Sequence, residues 1–272
     1  MEDNPLISVT VPTKNSEKFL EKCLDSIKDQ TYKNIELIVV DNNSTDKTKE
    51  IAREYTDKVL NFGPERSAQV NYGVKKSSGE YVYKVDSDFV LDKYVIEQCV
   101  NEVKKGYDAI VVHNSPDVSV SWIARVRKFE CDMYKYDITH SSARFVKKGI
   151  FQKIDGFNEK ITAGEDYDFQ NKLNKNGYKT GFIEAEALHL GEPISFWKHM
   201  KKYYEYGKDF VRYKQENKNE SKKQFKFIRS VYLKNWKKFM KNPLMGVLFI
   251  FYNFFKYLFG GAGYFVGKIK KI

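Results

Sequence analysis

The stretch Tyr81–Asp88 reads YVYKVDSD, an apolar-leaning run that ends in two carboxylates separated by one serine. A run of this composition is typical of a strand, and Asp86 and Asp88 follow it where the chain should leave a sheet. Acids after a strand are most often a solvated turn, but two carboxylates at that position can also bind a divalent cation together with a diphosphate. Asp86-Ser87-Asp88 therefore indicates nucleotide-dependent chemistry if other strands end in the same way.

Two earlier strand-like runs also end in polar loops. Ile7–Val11 is followed by Pro12–Asn15, and Ile35–Val40 is followed by Asp41–Asp46. Helical patterns separate the β-rich runs over the first 110 residues, which predicts βαβ units. Ligands of open α/β sheets bind outside the carboxyl ends of the strands. We therefore predict an α/β fold with a mostly parallel central sheet, helices on both faces and a binding site at this edge.

The sequence after the two carboxylates predicts further regular elements. The pattern favours helices over Leu91–Lys105 and Trp122–Tyr136, and strands over Ala109–Val112 and Gly181–Ile183. A helix also begins at the acidic segment Gly164–Phe169, where carboxylates in the first turn complement the helix dipole. The α/β pattern therefore extends to about residue 190.

Charge is unevenly distributed along the chain. The 272 residues carry 47 Lys plus Arg and 36 Asp plus Glu, a net charge of +11. Residues 195–272 hold 19 of these bases and 4 of the acids, or +15, which leaves 28 against 32, or −4, for residues 1–194. A basic segment of this kind suits an anionic membrane surface or nucleic acid. We predict a catalytic domain over residues 1–194 and basic, membrane-associating helices over residues 195–272.

The three cysteines indicate a reducing compartment. Cys23, Cys99 and Cys131 are scattered without the spacing of a zinc site or a disulfide framework. The chain does not open with the pattern of a secretory signal. We expect a cytoplasmic protein.

The basic segment alternates aromatic and charged residues. Ser195–Tyr213 and Phe225–Met240 both read as amphipathic helices with lysines on one face. Pro243–Gly267 follows, and Lys256 is its one charged residue. Nucleic-acid binding is less consistent with this segment, because Leu244–Phe255 carries no charge at all. The expected partner is an anionic membrane.

The apolar segment is long enough to cross a bilayer, but two features disfavour crossing. Its 25 residues match the thickness of a hydrocarbon core, whereas Lys256 at its centre costs about 2.5 to 3.5 kcal/mol. Gly260, Gly261 and Gly263 each weaken the helix by roughly 1 kcal/mol. We predict two short helices at the interface or a re-entrant hairpin in preference to one transmembrane helix.

The order of the motifs resembles the family 2 glycosyltransferases with the GT-A fold, a Rossmann-like α/β fold. The resemblance covers roughly residues 5–190, and its motifs, in chain order, are Val9–Asn15, Glu36–Asp46, Asp86–Asp88, Gly164–Asp168 and His189. Each motif alone is weak, but five in this order are specific. Members transfer a sugar from a nucleotide-diphosphate donor, usually with inversion at the anomeric carbon.

The resemblance implies which residues bind the donor. The positions that match nucleotide-sugar contacts in the family are Pro12, Thr13, Asn15, Asp41, Arg66, Gln69, Asp86 and Ser87. Asp88 and His189 match ligands of Mg²⁺ or Mn²⁺, which neutralises the charge that develops on the leaving diphosphate.

The resemblance also implies a catalytic base. Asp166 matches the carboxylate that takes the proton of the acceptor hydroxyl, a role worth about 10²- to 10⁴-fold in rate. Glu165 or Asp168 could instead accept hydrogen bonds from acceptor hydroxyls.

Two departures from the family pattern refine this prediction. Phe89 follows the metal motif where many relatives have another acid, so the metal would depend on Asp88, His189 and water. The chain has no Gln-x-x-Arg-Trp segment, which marks the processive synthases of the family. We predict transfer of one sugar per encounter.

The predicted function is transfer from a UDP- or GDP-linked sugar to a membrane-borne acceptor at the cytoplasmic face of the cell membrane. Polyprenyl phosphates, lipid-linked glycans and glycolipids are the acceptor classes that would explain the basic segment. A nucleotidyltransferase is one alternative, although Pro12–Asn15 lacks the glycine-rich phosphate loop of such enzymes. An inactive, membrane-tethered nucleotide-sugar binding module is the other.

Overall fold

The structure is a computed structural model that describes residues 4–270, with the side chain of Lys270 excluded. Residues 1–3 and 271–272, at the outer ends of the two predicted segments, lie outside the described residues. The strands are β1 (Ile7–Thr13), β2 (Ile35–Asp41), β3 (Val59–Asn61), β4 (Tyr81–Lys84), β5 (Phe89–Leu91), β6 (Ala109–Pro116), β7 (Phe145–Lys147) and β8 (Thr180–His189). The helices are α1 (Leu20–Lys28), α2 (Thr48–Arg53), α3 (Arg66–Lys76), α4 (Val95–Lys104), α5 (Trp122–Tyr134), α6 (Lys148–Lys153), α7 (Glu165–Lys175), α8 (Phe196–Glu216), α9 (Lys218–Gln224), α10 (Ser230–Lys234), α11 (Trp236–Lys241) and α12 (Pro243–Lys270).

These strands form one sheet in the order β3-β2-β1-β4-β7-β6-β8-β5. The first four strands of this order pair in parallel, whereas β7 runs antiparallel to both β4 and β6, and β5 runs antiparallel to β8. The predicted α/β fold is confirmed. The parallel pairs among β3, β2, β1 and β4 belong to the half of the sheet built from βαβ units, since parallel strands need a crossover connection.

Alternation along β1 explains why helices cover both faces of the sheet. Ile7, Val9 and Val11 contribute to one buried cluster with α1 and α4. Thr10 points the other way, toward α3, where a Cβ on Gly73 would come within 2.4 Å of its methyl group. Successive side chains of a strand face opposite sides, so a strand buried on both sides has this pattern.

The segment after the two carboxylates differs from the prediction. Leu91 ends a strand, and the helix predicted from Leu91 begins at Val95 instead. Phe89 pairs with His189 in the antiparallel ladder between β5 and β8. The partner strand lies 100 residues away in the sequence, so local periodicity could not show that Phe89–Leu91 is extended.

The chain divides into two compact units. Unit 1 comprises residues 1–114, 142–159 and 172–191, and unit 2 comprises residues 115–141, 160–171 and 192–272. These units differ from a simple division at residue 194, because two inner segments of the chain belong to unit 2. The functional division into a catalytic domain and a membrane-associating region stays a prediction.

The apolar C-terminal segment is one continuous helix, so the prediction of two short helices or a hairpin is wrong. One of the three glycines expected to weaken α12 allows close packing instead: a Cβ on Gly263 would come within 1.9 Å of the Tyr204 carbonyl oxygen of α8. A Cβ on Gly267 would likewise meet the Lys208 carbonyl at 2.5 Å. Because glycine lacks a Cβ, two backbones can approach this closely, and packing compensates for low helix propensity.

Lys256 does not interrupt this helix, because its charge is paired inside unit 2. Its ammonium group donates to both carboxylate oxygens of Glu130 on α5, each at 2.9 Å. The hydroxyls of Tyr134 and Tyr232 donate to the same carboxylate at 2.7 and 3.0 Å. Buried charges are tolerated when they are paired and hydrogen-bonded in this way.

The helix predicted over Phe225–Met240 is also wrong, since α10 and α11 are separate short helices preceded by a turn. Phe225 packs on Phe210 of α8 with ring centroids 4.2 Å apart. Arg229 is extended and donates to the Tyr134 hydroxyl. Side chains with helical spacing thus face different partners within unit 2, and these contacts outweigh the local pattern.

Candidate functional site

The carboxyl ends of β1 and β2 lie side by side in unit 1. The parallel register places Thr13 beside Asp41. The Thr13 hydroxyl donates to the buried Asp41 carboxylate at 3.1 Å, and the Ser44 backbone N–H donates to its other oxygen at 2.8 Å. Pro12 is buried beside them. The fold therefore brings the predicted nucleoside-binding residues of both strands together.

Asn15 connects the two strand-ending loops. Its backbone has a φ of 49°, a left-handed conformation that asparagine adopts more readily than most residues. Its N–H donates to the Ser44 hydroxyl at 2.8 Å, and its side-chain oxygen accepts from the Thr45 N–H at 3.0 Å. The loop after β1 is thereby fixed against the loop after β2.

Gln69 of α3 is hydrogen-bonded to the backbone at the ends of the same two strands. Its amide nitrogen donates to the carbonyl oxygens of Thr13 and Val40, at 2.8 and 2.6 Å. The side chain is buried. Its predicted contact with the donor stays a prediction, and the observed contacts show that it fixes the backbone of the loops.

Asp86 lies at the centre of a cluster of positive charges. The Arg144 guanidinium is 3.2 Å from one carboxylate oxygen, and Arg66 and Lys84 are 3.5 and 3.9 Å from the other. Burial alone would raise the pKa of Asp86, but Lys84, Arg66, Arg144 and His189 hold that pKa well below its usual range. Three cations thus face this one carboxylate, and guanidinium and ammonium groups are suited to an anion.

Sequence reasoning found Arg66 in this cluster but missed Lys84 and Arg144. Lys84 is almost fully buried, and a lysine inside an apolar strand run was a signal that could have been used. Arg144 precedes β7, and the pairing of β7 with β4 brings it to Asp86. No local pattern marks Arg144, because its position depends on an antiparallel pairing of strands 60 residues apart.

Asp88 and His189 meet at the end of the ladder between β5 and β8. His189 Nε2 is 3.1 Å from a carboxylate oxygen of Asp88. A Cβ on Gly191 would come within 2.2 Å of that oxygen and 3.1 Å of the imidazole nitrogen, so glycine leaves this corner open. Ser87, between the two acids, donates to the Ser16 hydroxyl at 2.9 Å.

Phe89 explains why the absence of a third acid is compatible with this site. Its ring lies 4.7 Å from the Arg144 guanidinium and 4.8 Å from the His189 ring. A cation over an aromatic face is stabilised by the ring quadrupole. Phe89 therefore orients two side chains of the site. One is Arg144, which lies beside Asp86, and the other is His189, which lies beside Asp88.

The pair of Asp88 and His189 fits a divalent cation. Among residues 4–270, no group of three or more His, Cys, Asp and Glu side chains is placed to hold a metal. Mg²⁺ usually binds through one or two protein carboxylates with waters and substrate phosphates, and Mn²⁺ also accepts imidazole nitrogen. One carboxylate and one imidazole at an open corner satisfy both requirements once a diphosphate supplies further oxygens.

The predicted acceptor residues belong to unit 2. Glu165 and Asp168 are buried in the first turn of α7, whereas Asp166 between them is partly exposed. Asp168 accepts from the Asn217 amide at 2.8 Å. The exposure of Asp166 agrees with a group that must reach a substrate, and the role of each acid stays a prediction.

The family model of "Glycosyl transferase family 2" matches residues 8–156, more than half of the chain. This chain belongs to that family. The match includes the loops after β1, β2 and β4 and ends before α7. A nucleotidyltransferase is therefore set aside.

Curated relatives support the same family. An uncharacterized glycosyltransferase of Rickettsia typhi is 31% identical over 187 residues, which cover 62% of this chain and 59% of the relative. An uncharacterized glycosyltransferase of Methanocaldococcus jannaschii is 28% identical and covers 68% of this chain and 70% of the relative. The minor teichoic acid biosynthesis protein GgaB of Bacillus subtilis is 28% identical over 67% of this family 2 chain and 22% of its own length. The chain thus spans about three fifths of the Rickettsia typhi relative.

Solved structures show the GT-A fold. The mannosyltransferase PcManGT of Pyrobaculum calidifontis, solved with GDP-Man and Mn²⁺, has a TM-score of 0.62 at 16% identity and covers 96% of this chain and 74% of its own. TarS 1-349 of S. aureus has a TM-score of 0.58 at 22% identity, with coverage of 76% and 64%. A further TarS structure contains UDP-GlcNAc. At these identities the likeness establishes the fold of this family 2 member.

Proposed function

We propose that this family 2 member transfers one sugar, with inversion, from a UDP- or GDP-linked donor to a membrane-borne acceptor. The observation that carries the proposal is the Asp86 cluster, in which three cations face one carboxylate at the carboxyl ends of the parallel strands. Ligands of open α/β sheets bind at this edge. Solved structures of the same fold that contain UDP-GlcNAc or GDP-Man add support.

The nucleoside would bind over the loops after β1 and β2. Asp41 is held by Thr13 and Ser44, so its carboxylate is oriented before a base arrives. Asp86 would contact the ribose side, and Arg66 would face the diphosphate, since its side chain is about half exposed. Preorganised charges of this kind stabilise a leaving diphosphate without reorganisation during the reaction.

A divalent cation would be held by Asp88 and His189. When bound, Mg²⁺ or Mn²⁺ neutralises the negative charge that develops on the diphosphate. Arg66 and Arg144 contribute positive charge to the same leaving group. The cations of this chain would therefore share the neutralisation of the diphosphate charge, which in relatives with a third acid is a role of the metal site.

Asp166 would act as the base toward the acceptor hydroxyl. A hydroxyl is a weak nucleophile at neutral pH, and a carboxylate that accepts its proton allows attack on the anomeric carbon as the bond to the diphosphate breaks. Glu165 and Asp168 would hold acceptor hydroxyls. The acceptor would be a polyprenyl phosphate, lipid-linked glycan or glycolipid at the cytoplasmic face, because the +15 segment suits an anionic membrane.

Thermal stabilisation by nucleotides tests donor binding. A ligand that binds only the folded chain stabilises it by RT ln(1 + [L]/Kd), about 2.7 kcal/mol at 100 Kd. UDP or GDP with Mn²⁺ should raise Tm, and the part of the shift that depends on Mn²⁺ should vanish in Asp88→Asn. Asp155→Asn, an exposed acid at a φ of 57° that asparagine tolerates, serves as the matched control. If no nucleoside diphosphate shifts Tm, the donor site is wrongly assigned.

Substituting Asp166 by Asn tests the base. The amide keeps the shape of the side chain but cannot take a proton, so turnover should fall at least about 10²-fold while donor affinity is kept. The measurement is steady-state transfer together with nucleotide binding. Turnover of Asp166→Asn equal to that of Asp155→Asn would reject this role.

A further inference from the structure

Polar side chains near the middle of α12 face the interior of unit 2, beside rings such as Phe249 that pack there in a hydrophobic cluster. Its inner face carries polar groups with partners in unit 2: the Tyr252 hydroxyl contacts His199 and Tyr203 at 3.0 and 2.9 Å, and Lys256 is paired with Glu130. Asn253 is buried on the same side. In a helix of a water-soluble domain the polar residues face solvent and the apolar ones face the core. α12 departs from this pattern because its central polar groups are inside and large apolar side chains are exposed, which indicates that its outer face contacts an apolar medium.

The outer face of α12 is almost entirely apolar. The exposed large side chains lie mostly three or four residues apart, with one gap of seven, and they are Leu244, Val247, Ile250, Phe251, Phe254, Leu258, Phe265 and Ile269. This strip runs over about 39 Å at 1.5 Å per residue. Only 22% of the most apolar stretch of α12 is buried, so this helix is not a core helix. An exposed apolar surface of this length marks an interaction site.

The packing of the charged helix α8 beside α12 limits the orientations in which the apolar strip can contact a membrane. α12 packs on α8 from Trp197 beside Phe255 to Lys208 beside Gly267. Charged residues lie along the same length of α8, and they are Lys198, Lys201, Lys202, Glu205 and Lys208. Among residues 4–270, α12 is the one helix long and apolar enough to cross a bilayer. If it crossed, the charges of α8 would enter the hydrocarbon core, where each is costly.

The segment beside α12 has the composition of a membrane interface. Phe227 packs against Tyr257 of α12 with ring centroids 5.1 Å apart. The exposed residues between 226 and 241 alternate apolar and basic types, and they include Lys226, Ile228, Leu233, Lys234, Trp236, Lys237, Met240 and Lys241. Aromatic rings settle at the level of lipid headgroups, and lysines bind anionic headgroups by charge.

We propose that α12 lies in the plane of an anionic bilayer, with its outer face among the acyl chains, the lysines of residues 226–241 at the headgroups and the charged side of α8 in water. The inference deepens the proposed function, and rests on it in one respect, since it names the surface that brings the chain to a lipid-borne acceptor. It excludes a transmembrane orientation of α12.

Vesicle flotation with the full chain tests the docking surface. The triple variant V247E/L258E/F265E places three charges on the outer face, and Tyr94→Glu, an exposed aromatic of unit 1, is the matched control. Binding to vesicles of phosphatidylglycerol and phosphatidylcholine should fall at least tenfold for the triple variant and stay unchanged for Tyr94→Glu. Equal binding of wild type and triple variant would overturn the proposal. Cooperative thermal unfolding of the triple variant at a Tm close to that of wild type shows that it is folded.

Depth measurements distinguish the in-plane from the spanning orientation. Nitroxide labels at V247C, L258C and F265C, introduced one at a time, should report the same shallow depth in vesicles. A spanning helix would instead place the label at 258 deepest, and that result would overturn the proposal.

Two further outcomes keep the inference separate from the proposed function. If the outer face is covered by a second copy, the wild type will be a dimer in solution, the triple variant a monomer, and vesicle binding absent; this result overturns the membrane assignment. The vesicle assay needs no donor and no turnover. A failure of flotation with normal nucleotide binding would therefore reject the docking surface and leave sugar transfer standing.

Discussion

Asp86 in unit 1 and Glu130 in unit 2 are both buried carboxylates among cations, but they differ in how well they are paired. Glu130 accepts four hydrogen bonds of 2.7 to 3.0 Å from Lys256, Tyr134 and Tyr232. The cations around Asp86 are 3.2 to 3.9 Å away, and the Arg66 side chain is about half exposed. A closed cluster of short hydrogen bonds stabilises a fold, whereas a cluster with longer contacts and an exposed arginine can still bind a ligand.

The pKa is lowered for both carboxylates, although their pairing differs. Burial alone would raise the pKa of Glu130, but the charges of Lys256 and Arg229, with hydrogen bonds from Lys256 and Tyr134, lower it to about 2. The pKa of Asp86 is also lowered by its neighbours, against the effect of burial. A low pKa therefore does not separate a structural carboxylate from a binding one, and the pairing geometry does.

Glu130→Gln should have the largest effect on stability. Breaking a buried ion pair by removing one partner costs about 3 to 5 kcal/mol, because Lys256 and Arg229 are left without their countercharge. We expect a fall of about 10 °C in Tm, measured by thermal unfolding. The double variant Glu130→Gln/Lys256→Met should regain part of the loss, since it also removes the unpaired ammonium. A Tm of the single variant equal to wild type would show that the cluster contributes nothing.

The same carboxylate predicts a dependence of stability on pH. The pKa of Glu130 is about 2 in the folded chain and 4.5 as its ordinary value, so its contribution is complete above about pH 4.5 and is lost as the pH falls toward 2. A difference of this size corresponds to about 3 kcal/mol. Urea unfolding at pH 7 and at successively lower pH should show a smaller loss for Glu130→Gln than for wild type. Parallel curves would contradict the assignment.

Arginines of the two clusters offer a matched pair of substitutions. Arg66→Met should weaken nucleoside-diphosphate binding by about 10-fold or more with little change in Tm, because a charge-assisted hydrogen bond contributes about 1.5 to 3 kcal/mol. Arg229→Met should lower Tm and leave nucleotide affinity unchanged. Calorimetric titration with UDP or GDP and thermal unfolding measure the two effects. If both variants lose only stability, the Asp86 cluster is structural like the Glu130 cluster.

Two glycines of α12 give the smallest expected effect. Gly263→Ala should cost about 1 kcal/mol, because the new methyl group meets the Tyr204 carbonyl and this overpacking exceeds the gain in helix propensity. Gly261→Ala has open space within 4 Å and should stabilise the chain by up to about 1 kcal/mol. Chemical unfolding of the two variants checks the sign of each change. Equal shifts would show that α12 does not pack on α8 through Gly263.

The sequence predicted the part of the fold with parallel strands better than it predicted the basic segment. Parallel βαβ units are built from local patterns, and their strand ends meet at one edge, so Thr13, Asp41 and Asp86 could be placed near one another without coordinates. Arg144 could not, because an antiparallel pairing of distant strands brings it to Asp86. In the basic segment, helical spacing suggested one helix over 225–240, but its side chains pack on different partners within unit 2.

By itself the sequence determined the α/β order, the polar loops after three strands, the uneven charge and the family. Only the tertiary structure decided that Lys256 is paired with Glu130, that α12 is continuous and that large apolar side chains along it are exposed. The physical reason is the range of the interactions. Strand and loop patterns depend on neighbours in the chain, whereas a buried ion pair between α5 and α12 and a close contact at Gly263 depend on residues that meet only after folding.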